Sequence, residues 1–184
     1  PFFRSLLFRL DPEQAHGLTL NLISLAGKIP FAGGLLRGMF DAPERPVQAF
    51  GLTFKNPIGL AAGYDKDAVA WRGLACLGFG HIEVGTVTLR PQPGNPKPRL
   101  FRLPQEQAVI NRMGFSGKGA AYVARSLAHN RPHDLVLGVN IGKNKDTPLD
   151  RAEDDYLALM DILAPLADYL TINISSPNTV GLRR

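Results

Sequence analysis

The chain has 184 residues, 45% of them hydrophobic and 20% charged, with a formal net charge of +5. That composition belongs to a globular chain with one sizeable core and excludes an intrinsically disordered one. The lone cysteine, Cys76, excludes an internal disulfide framework and leaves zinc fingers and iron–sulfur clusters without ligands, while basic residues interspersed with acids, never more than two in a row, argue against a nucleic-acid partner.

Residues 1–40 are the greasiest part of the sequence. Phe2, Phe3, Leu6, Leu7 and Leu10 fall at helical spacing, and Asp11 followed by Pro12 and Gln14 signals the N-cap, first position and capping box of a second helix. Ala15, Leu18, Leu22, Leu25, Ala26 and Ile29 form one face of it, widened by Leu20 and Ile23, before Pro30 and Gly33-Gly34 end it. About 16 helical residues span roughly 24 Å, too short to cross a bilayer. No signal-peptide pattern opens the chain. Such a pair either packs on the main domain or rests on a membrane surface, and His16 is the one ionisable group between Glu13 and Lys28.

DAPERP, residues 41–46, reads as a linker, and the runs 47–50 and 52–55 meet at Gly51 as a hairpin. From there strand and helix alternate: strands at 57–62, 81–88, 135–141 and 169–175, with helices at 68–77, 119–129 and 152–166 between them. Strands that are nearly continuous apolar runs pair in parallel, which leaves a doubly wound sheet or a (β/α)₈ barrel. A barrel needs about 250 residues and eight strands, so residues 47–184 would be its N-terminal half, exposing two sheet edges when alone. The missing initiator Met and the stop at Arg184 inside a loop lead to the same expectation, that this is part of a longer protein.

Residues 90–116 are too long for a tight connection and alternate enough to make two strands above the barrel mouth, where ordered insertions cover sites. Neither GxGxxG nor GxxxxGK[ST] nor HExxH occurs, so no Rossmann, P-loop or zincin site is supported. The last strand runs into TINISSPNTVGLR, residues 171–183. Asn173 alternates with Ile172 and Ile174 and so faces away from both, and Pro177 ends regular pairing. Ser-Ser-Pro-Asn-Thr also suits a solvated turn. Against that stands repetition, since three other apolar runs end in small or amide residues, at Ala61-Ala62-Gly63, Thr86 and Asn140. Strand C-termini are where barrel enzymes keep their chemistry.

NPIGLAAGYDKD, IEVGTVTLRPQPGNPKPRLFRL, INRMGFSGKG, GVNIGKNKDTP and INISSPNTVGLR resemble, in order, the motifs of the quinone-dependent (class 2) dihydroorotate dehydrogenases, and DPEQAHGLT resembles their quinone-tunnel helices. The resemblance spans essentially the whole chain. It implies an FMN-containing barrel with a two-helix N-terminal extension, oxidising dihydroorotate to orotate in pyrimidine biosynthesis and passing electrons to ubiquinone or menaquinone. It also implies a peripheral place on the cytoplasmic side of the cell inner membrane. Ala62 and Gly63 would let the flavin ring approach backbone, Thr86, Asn140 and Asn173 would bond its polar edge, and Lys66 would serve both flavin and substrate carboxylate. Asn111, Arg112, Met113, Gly114 and Phe115, with Asn173 and Asn178, would hold dihydroorotate.

By the same resemblance Ser176 is the base that takes the C5 proton, with Thr179 and Phe115 shaping the proton's exit. Class 1 enzymes use cysteine there. His16 and Arg102 would line the quinone tunnel, while the flavin phosphate site is left unassigned. Alternatives are another FMN-dependent barrel oxidoreductase, class 1-like, a non-redox barrel lyase using Lys66 as a Schiff-base lysine, and an inert scaffold with a membrane anchor.

Overall fold

The computed structural model describes residues 2–40, 42–129, 131–132 and 134–174. At its centre is β7 (Val136–Ile141), whose six residues are all buried. Leu137, Val139 and Ile141 make one face and Val136, Gly138 and Asn140 the other, and burial of both favours the parallel arrangement seen. β7 pairs in parallel with β4 (His81–Val87) on one side and β8 (Tyr169–Ile172) on the other, and β4 with β3 (Gly59–Leu60), giving the order β3-β4-β7-β8. The connections carry α4 (Trp71–Leu74) with a 3₁₀ turn to Leu77, α5 (Ala120–Leu127), and α6 (Ala152–Leu163). Trp71, Leu74, Val123, Leu159 and Leu163 bring the helices onto Ile82, Val84, Leu137, Val139 and Ile141. The strand and helix alternation is therefore that of part of a (β/α)₈ barrel, with β3 and β8 as its outer strands among the described residues.

Two elements are shorter than the sequence suggests. The first helix begins at Trp71 rather than at 68, because the Asp65 carboxylate accepts from the N–H groups of Val69 and Ala70, both at 2.8 Å, and holds residues 65–70 as a turn. The first strand contracts to Gly59–Leu60. Gly59 lies against the His81 ring so closely that a Cβ would sit 1.9 Å from it.

The hairpin β1 (Val47–Ala49) and β2 (Leu52–Phe54) forms as expected, and so does the excursion, with β5 (Leu100–Leu103) antiparallel to β6 (Ala108–Asn111). Buried Arg99 anchors the excursion. Its guanidinium donates to the carbonyls of Pro93 (2.6 Å) and Asn95 (2.9 Å) and grips Glu13 through both carboxylate oxygens, at 3.1 and 2.6 Å.

The N-terminal extension is three helices rather than two: α1 (Phe2–Leu7), α2 (Pro12–Lys28) and α3 (Pro30–Phe40). Asp11 caps α2 as expected, accepting from the N–H groups of Glu13 and Gln14. Ile29 is extended, and Pro30 opens a new helix there at 108° to α2 instead of ending helical structure. Proline suits a first helical position. Gly33 and Gly34 cost α3 about 1 kcal/mol each, and at Gly33 the helix lies beside Cys76, whose Sγ would be in ordinary contact, 3.5 Å, with an added Cβ. α2 crosses α4 backbone to backbone: a Cβ on Gly27 would lie 2.3 Å from Gly73 N, and one on Gly73 would lie 2.0 Å from Ile23 O.

Candidate active site at the strand C-termini

β4, β7 and β8 each end in a polar side chain on the same side of the sheet, and the three are bonded to one another. Thr86 Oγ1 donates to Asn140 Oδ1 (2.6 Å), and Asn173 Nδ2 donates to both Thr86 Oγ1 (3.0 Å) and Asn140 Oδ1 (3.1 Å). Register explains the meeting. Asn140 is opposite Thr171, and Asn173 N–H extends the ladder by bonding to Ile141 O at 2.9 Å. Beneath this row lies Glu83, which the sequence reading did not single out. Its carboxylate accepts from Asn140 Nδ2 (2.9 Å), Tyr169 Oη (3.1 Å) and Thr171 Oγ1 (2.9 Å). With Nδ2 taken by Glu83, the Asn140 amide must present Oδ1 to Thr86 and Asn173. Burial, and then the charge of Glu83, push the Tyr169 phenol well above its ordinary pKa, so Tyr169 stays a proton donor.

β3 ends at Leu60, and the chain turns through Ala62 and Gly63 beside the row. Gly63 N–H bonds Gly85 O (2.8 Å) and Gly85 N–H bonds Asp65 O (3.1 Å), so pairing with β4 continues past the strand. Gly63 has φ +110°, a conformation open in practice only to glycine, and its side-chain position faces open space. Lys66 follows, half-buried, donating from Nζ to Gly114 O at 3.0 Å. Burial first, and the Arg99 charge second, lower its pKa.

That bond joins Lys66 to the segment 111–115. Asn111 Oδ1 accepts from Met113 N–H (2.9 Å), making a local turn, and Arg112 bonds the Pro98 carbonyl (3.1 Å) and lies 5.4 Å from the Phe101 ring centroid. Gly114 has φ +72°. Phe115 arches back over β7: a Cβ on Gly142 would touch both the Phe115 ring (2.9 Å) and Thr86 Cγ2 (2.6 Å). Gln92, also missed in the sequence, holds the arch by donating to Phe115 O (2.7 Å), and Asn144 fixes Gln92 in turn by donating to its Oε1 (2.9 Å).

The two residues assigned to a quinone path have different neighbours. His16 packs edge-on against Tyr64, with centroids 5.0 Å apart, and lines with Lys66 and Met113 a cavity of about 340 Å³. Burial, then the nearby Lys66 charge, lower its pKa. Arg102 donates to Leu10 O (2.8 Å) and stacks 4.6 Å from the Phe8 ring centroid, tying β5 to the α1–α2 turn. Ser176, Asn178 and Thr179 lie outside the described residues.

A parallel sheet with a cross-bonded amide row at its strand C-termini, a lysine above it and a hairpin beside it defines the N-terminal part of a (β/α)₈ barrel with its site at the mouth. The family model for dihydroorotate dehydrogenase matches residues 46–184, and the chain belongs to that family. Its relatives include the dihydroorotate dehydrogenase (quinone) of Roseiflexus sp. (strain RS-1), 57% identical over 183 residues, which are 98% of this chain and 51% of that one. The protein of the same name from Acidithiobacillus ferrooxidans is 57% identical over 182 residues, 98% of this chain and 50% of that one. Among solved structures, DHODH from Eimeria tenella in complex with ferulenol superposes with a TM-score of 0.79 at 46% identity, over 94% of this chain and 46% of that one. The chain thus spans about half the length of the curated relatives it matches.

Proposed function

We propose that this chain carries the flavin- and substrate-binding strand ends of a quinone-dependent dihydroorotate dehydrogenase, which oxidises dihydroorotate to orotate in pyrimidine biosynthesis and reduces ubiquinone or menaquinone. The observation that carries the reading is the Thr86–Asn140–Asn173 row with Lys66 and Gly63 beside it. These residues suit FMN. A flat ring needs a glycine-bordered opening such as Gly63 offers, and its amide-like edge needs groups that both donate and accept, as Asn and Thr do. FMN, when bound, supplies the acceptor for the hydride leaving C6 of dihydroorotate.

The chain's own residues do the rest. Lys66 brings positive charge to the substrate carboxylate while its bond to Gly114 O steadies the segment 111–115. Asn111, Asn173 and Asn178 hold the ring amides and carboxylate, and Phe115 excludes water from the arch over Thr86. Ser176 takes the C5 proton and hands it on by way of Thr179, as a serine must, being a weak base in isolation. A Schiff-base role for Lys66 is not favoured, because its ammonium is engaged with a backbone carbonyl.

His16 beside Lys66, and the greasy helices above it, support a path for quinone to the flavin edge, with Arg102 bracing its wall. No single helix among the described residues is long and apolar enough to cross a membrane, and the one pair that is, α2 with α3, is bent by 108°. We place the extension peripherally, on the cytoplasmic face of the inner membrane, a reading supported by the exposed leucines and phenylalanines of its helices. In the full-length protein, a flavin visible spectrum bleached by dihydroorotate and restored by quinone supports the reading. Replacing Ser176 with Ala should keep the spectrum and slow bleaching by about 10²–10⁴-fold. A near wild-type bleaching rate would remove Ser176, and absence of flavin would remove the function.

A further inference from the structure

Two adjoining clefts of about 500 and 880 Å³ lie between the N-terminal helices and α4 and α5, sharing Arg72 and His129 in their walls, and the first also shares Val69 and Lys118 with the cavity that His16 and Lys66 line. The cations Lys28, Arg72, Lys118 and Arg125 line the first and Arg37 and Arg131 join Arg72 in the second; no carboxylate lines either one among the described residues. Of these six, Arg131 is paired, with Asp168, and the ion pairs of the described residues leave the other five out. Glu13 is held by Arg99 and Lys97, Asp168 by Arg131, Asp146 and Asp155 by Arg90, Asp154 by Arg151 and Asp134 by Lys55. Asp67 accepts the backbone N–H of Lys118, which lines the first cleft, at 2.7 Å. Five cations of this trough thus have no ion-pair partner among the described residues.

The trough borders an apolar strip. Asn21, Ser24 and Lys28 of α2 face the cleft. Leu18, Leu22 and Leu25 lie about 100° further round the same helix, a one-residue step, and are 43%, 57% and 56% exposed, while Ile29, extended just past its end, is 44% exposed. α3 continues the strip with Phe31 at 82%, Leu35 at 56% and Met39 at 67% exposed. A leucine and phenylalanine strip flanked by cations is complementary to one kind of surface, where acyl chains meet negatively charged headgroups.

We infer that the trough between α2–α3 and α4–α5 is a docking site for the headgroups of anionic phospholipids, which it holds while the apolar strip enters the acyl boundary. The inference rests on the peripheral-membrane reading above and adds the lipid class and the residues that select it. A soluble protein needing only solubility would scatter these charges. Here Arg72 and Arg125 come from the barrel helices and Lys28 and Arg37 from the extension, so a bound phosphate would also clamp the extension to the barrel.

The test is co-sedimentation of the full-length protein with vesicles of phosphatidylcholine alone or mixed with phosphatidylglycerol. The expected result is binding to both, tighter to the mixed vesicles. Changing Lys28, Arg72 and Arg125 together to Gln should lower affinity for the mixed vesicles by roughly a hundredfold, at about fivefold per charge, with binding to the neutral vesicles and flavin bleaching by dihydroorotate unchanged. Replacing Leu22 and Leu25 with Ser should weaken binding to both kinds. Equal affinity of wild type for the two vesicles would overturn the trough and leave peripheral attachment standing. Binding to neither would overturn the membrane reading itself. Release from mixed vesicles by low-millimolar inorganic phosphate, or tighter binding to a single-stranded oligonucleotide than to vesicles, would make the trough a soluble-anion or nucleic-acid site and overturn the inference.

Discussion

At the scale of single residues, the carboxylate of Glu83 decides which way the site faces. It accepts from side chains of β7 and β8 at once, and by occupying Asn140 Nδ2 it leaves Oδ1 as the acceptor at the centre of the row. Glu83→Gln keeps the shape but removes the charge and replaces one acceptor oxygen with a donor, so either the Asn140 bond is lost or the Tyr169 and Thr171 hydroxyls must reverse to accept, and the Asn140 amide is held less firmly. A hydrogen bond to a charged group contributes about 1.5–3 kcal/mol. FMN affinity, measured by equilibrium dialysis on the full-length protein, should fall by about tenfold or more while the thermal midpoint drops only modestly. Unchanged FMN affinity would show that Thr86 and Asn173 orient Asn140 unaided. The amides were legible in the sequence because each closes an apolar run, and runs that end together mark strand ends. Glu83 was not, because an acid inside IEVGTV alternates with Ile82 and Val84 and so reads as a solvated face. In a curved sheet that face is the inside of the barrel, where Tyr169 and Thr171 wait for it.

At the scale of elements, the glycines carry what periodicity could not. The sequence reading placed Gly33-Gly34 as a helix end by intrinsic propensity, yet α3 passes through them. Gly27 and Gly73 carry no local signal at all. Their role exists only in the crossing of α2 over α4, which is a tertiary fact. Gly73→Ala would place a methyl group 2.0 Å from Ile23 O, a collision with backbone that no rotamer relieves. Overpacking of this sort costs about 1–3 kcal/mol. Thermal unfolding should show that loss, with α2 more readily cut by protease than in wild type, whereas Gly17→Ala, inside the same helix but with nothing within 4 Å of an added Cβ, should raise stability by up to about 1 kcal/mol. An unchanged midpoint and unchanged protection for Gly73→Ala would mean that α2 shifts without penalty.

At the scale of the whole molecule, the extension and the strand-end site are separate constructions. Thr86, Asn140 and Asn173 bond to each other and to Glu83, with no partner in residues 2–40 among these bonds. Removing residues 1–40 from the full-length protein should therefore abolish quinone-dependent reoxidation and vesicle binding, while reduction of bound FMN by dihydroorotate survives. Stopped-flow measurement of the two half-reactions decides this. Persistent reoxidation would dismiss the quinone path, and lost FMN reduction would show that the helices hold the barrel together. The alternation of strand and helix made this division legible. The tilt of α3 and the basic trough were not, since both arise where separate parts of the chain meet.

Separate construction does not mean independence. The Arg99 carbonyl accepts from Arg112 N–H at 2.9 Å, and its guanidinium clamps Glu13 on α2, so the stem of the segment 111–115 is riveted to the helix proposed to meet the membrane. Arg99 holds the Glu13 carboxyl below its ordinary pKa. The clamp accordingly contributes stability at neutral pH and loses it as pH falls through that depressed value. Free energies of binding at two joined sites obey reciprocity. If attachment of α2 to a bilayer steadies the hairpin that closes on substrate, then orotate must raise the affinity of the protein for vesicles by the same factor that vesicles raise its affinity for orotate. The two titrations should give one number in the wild-type protein, and that number should approach unity in Glu13→Gln.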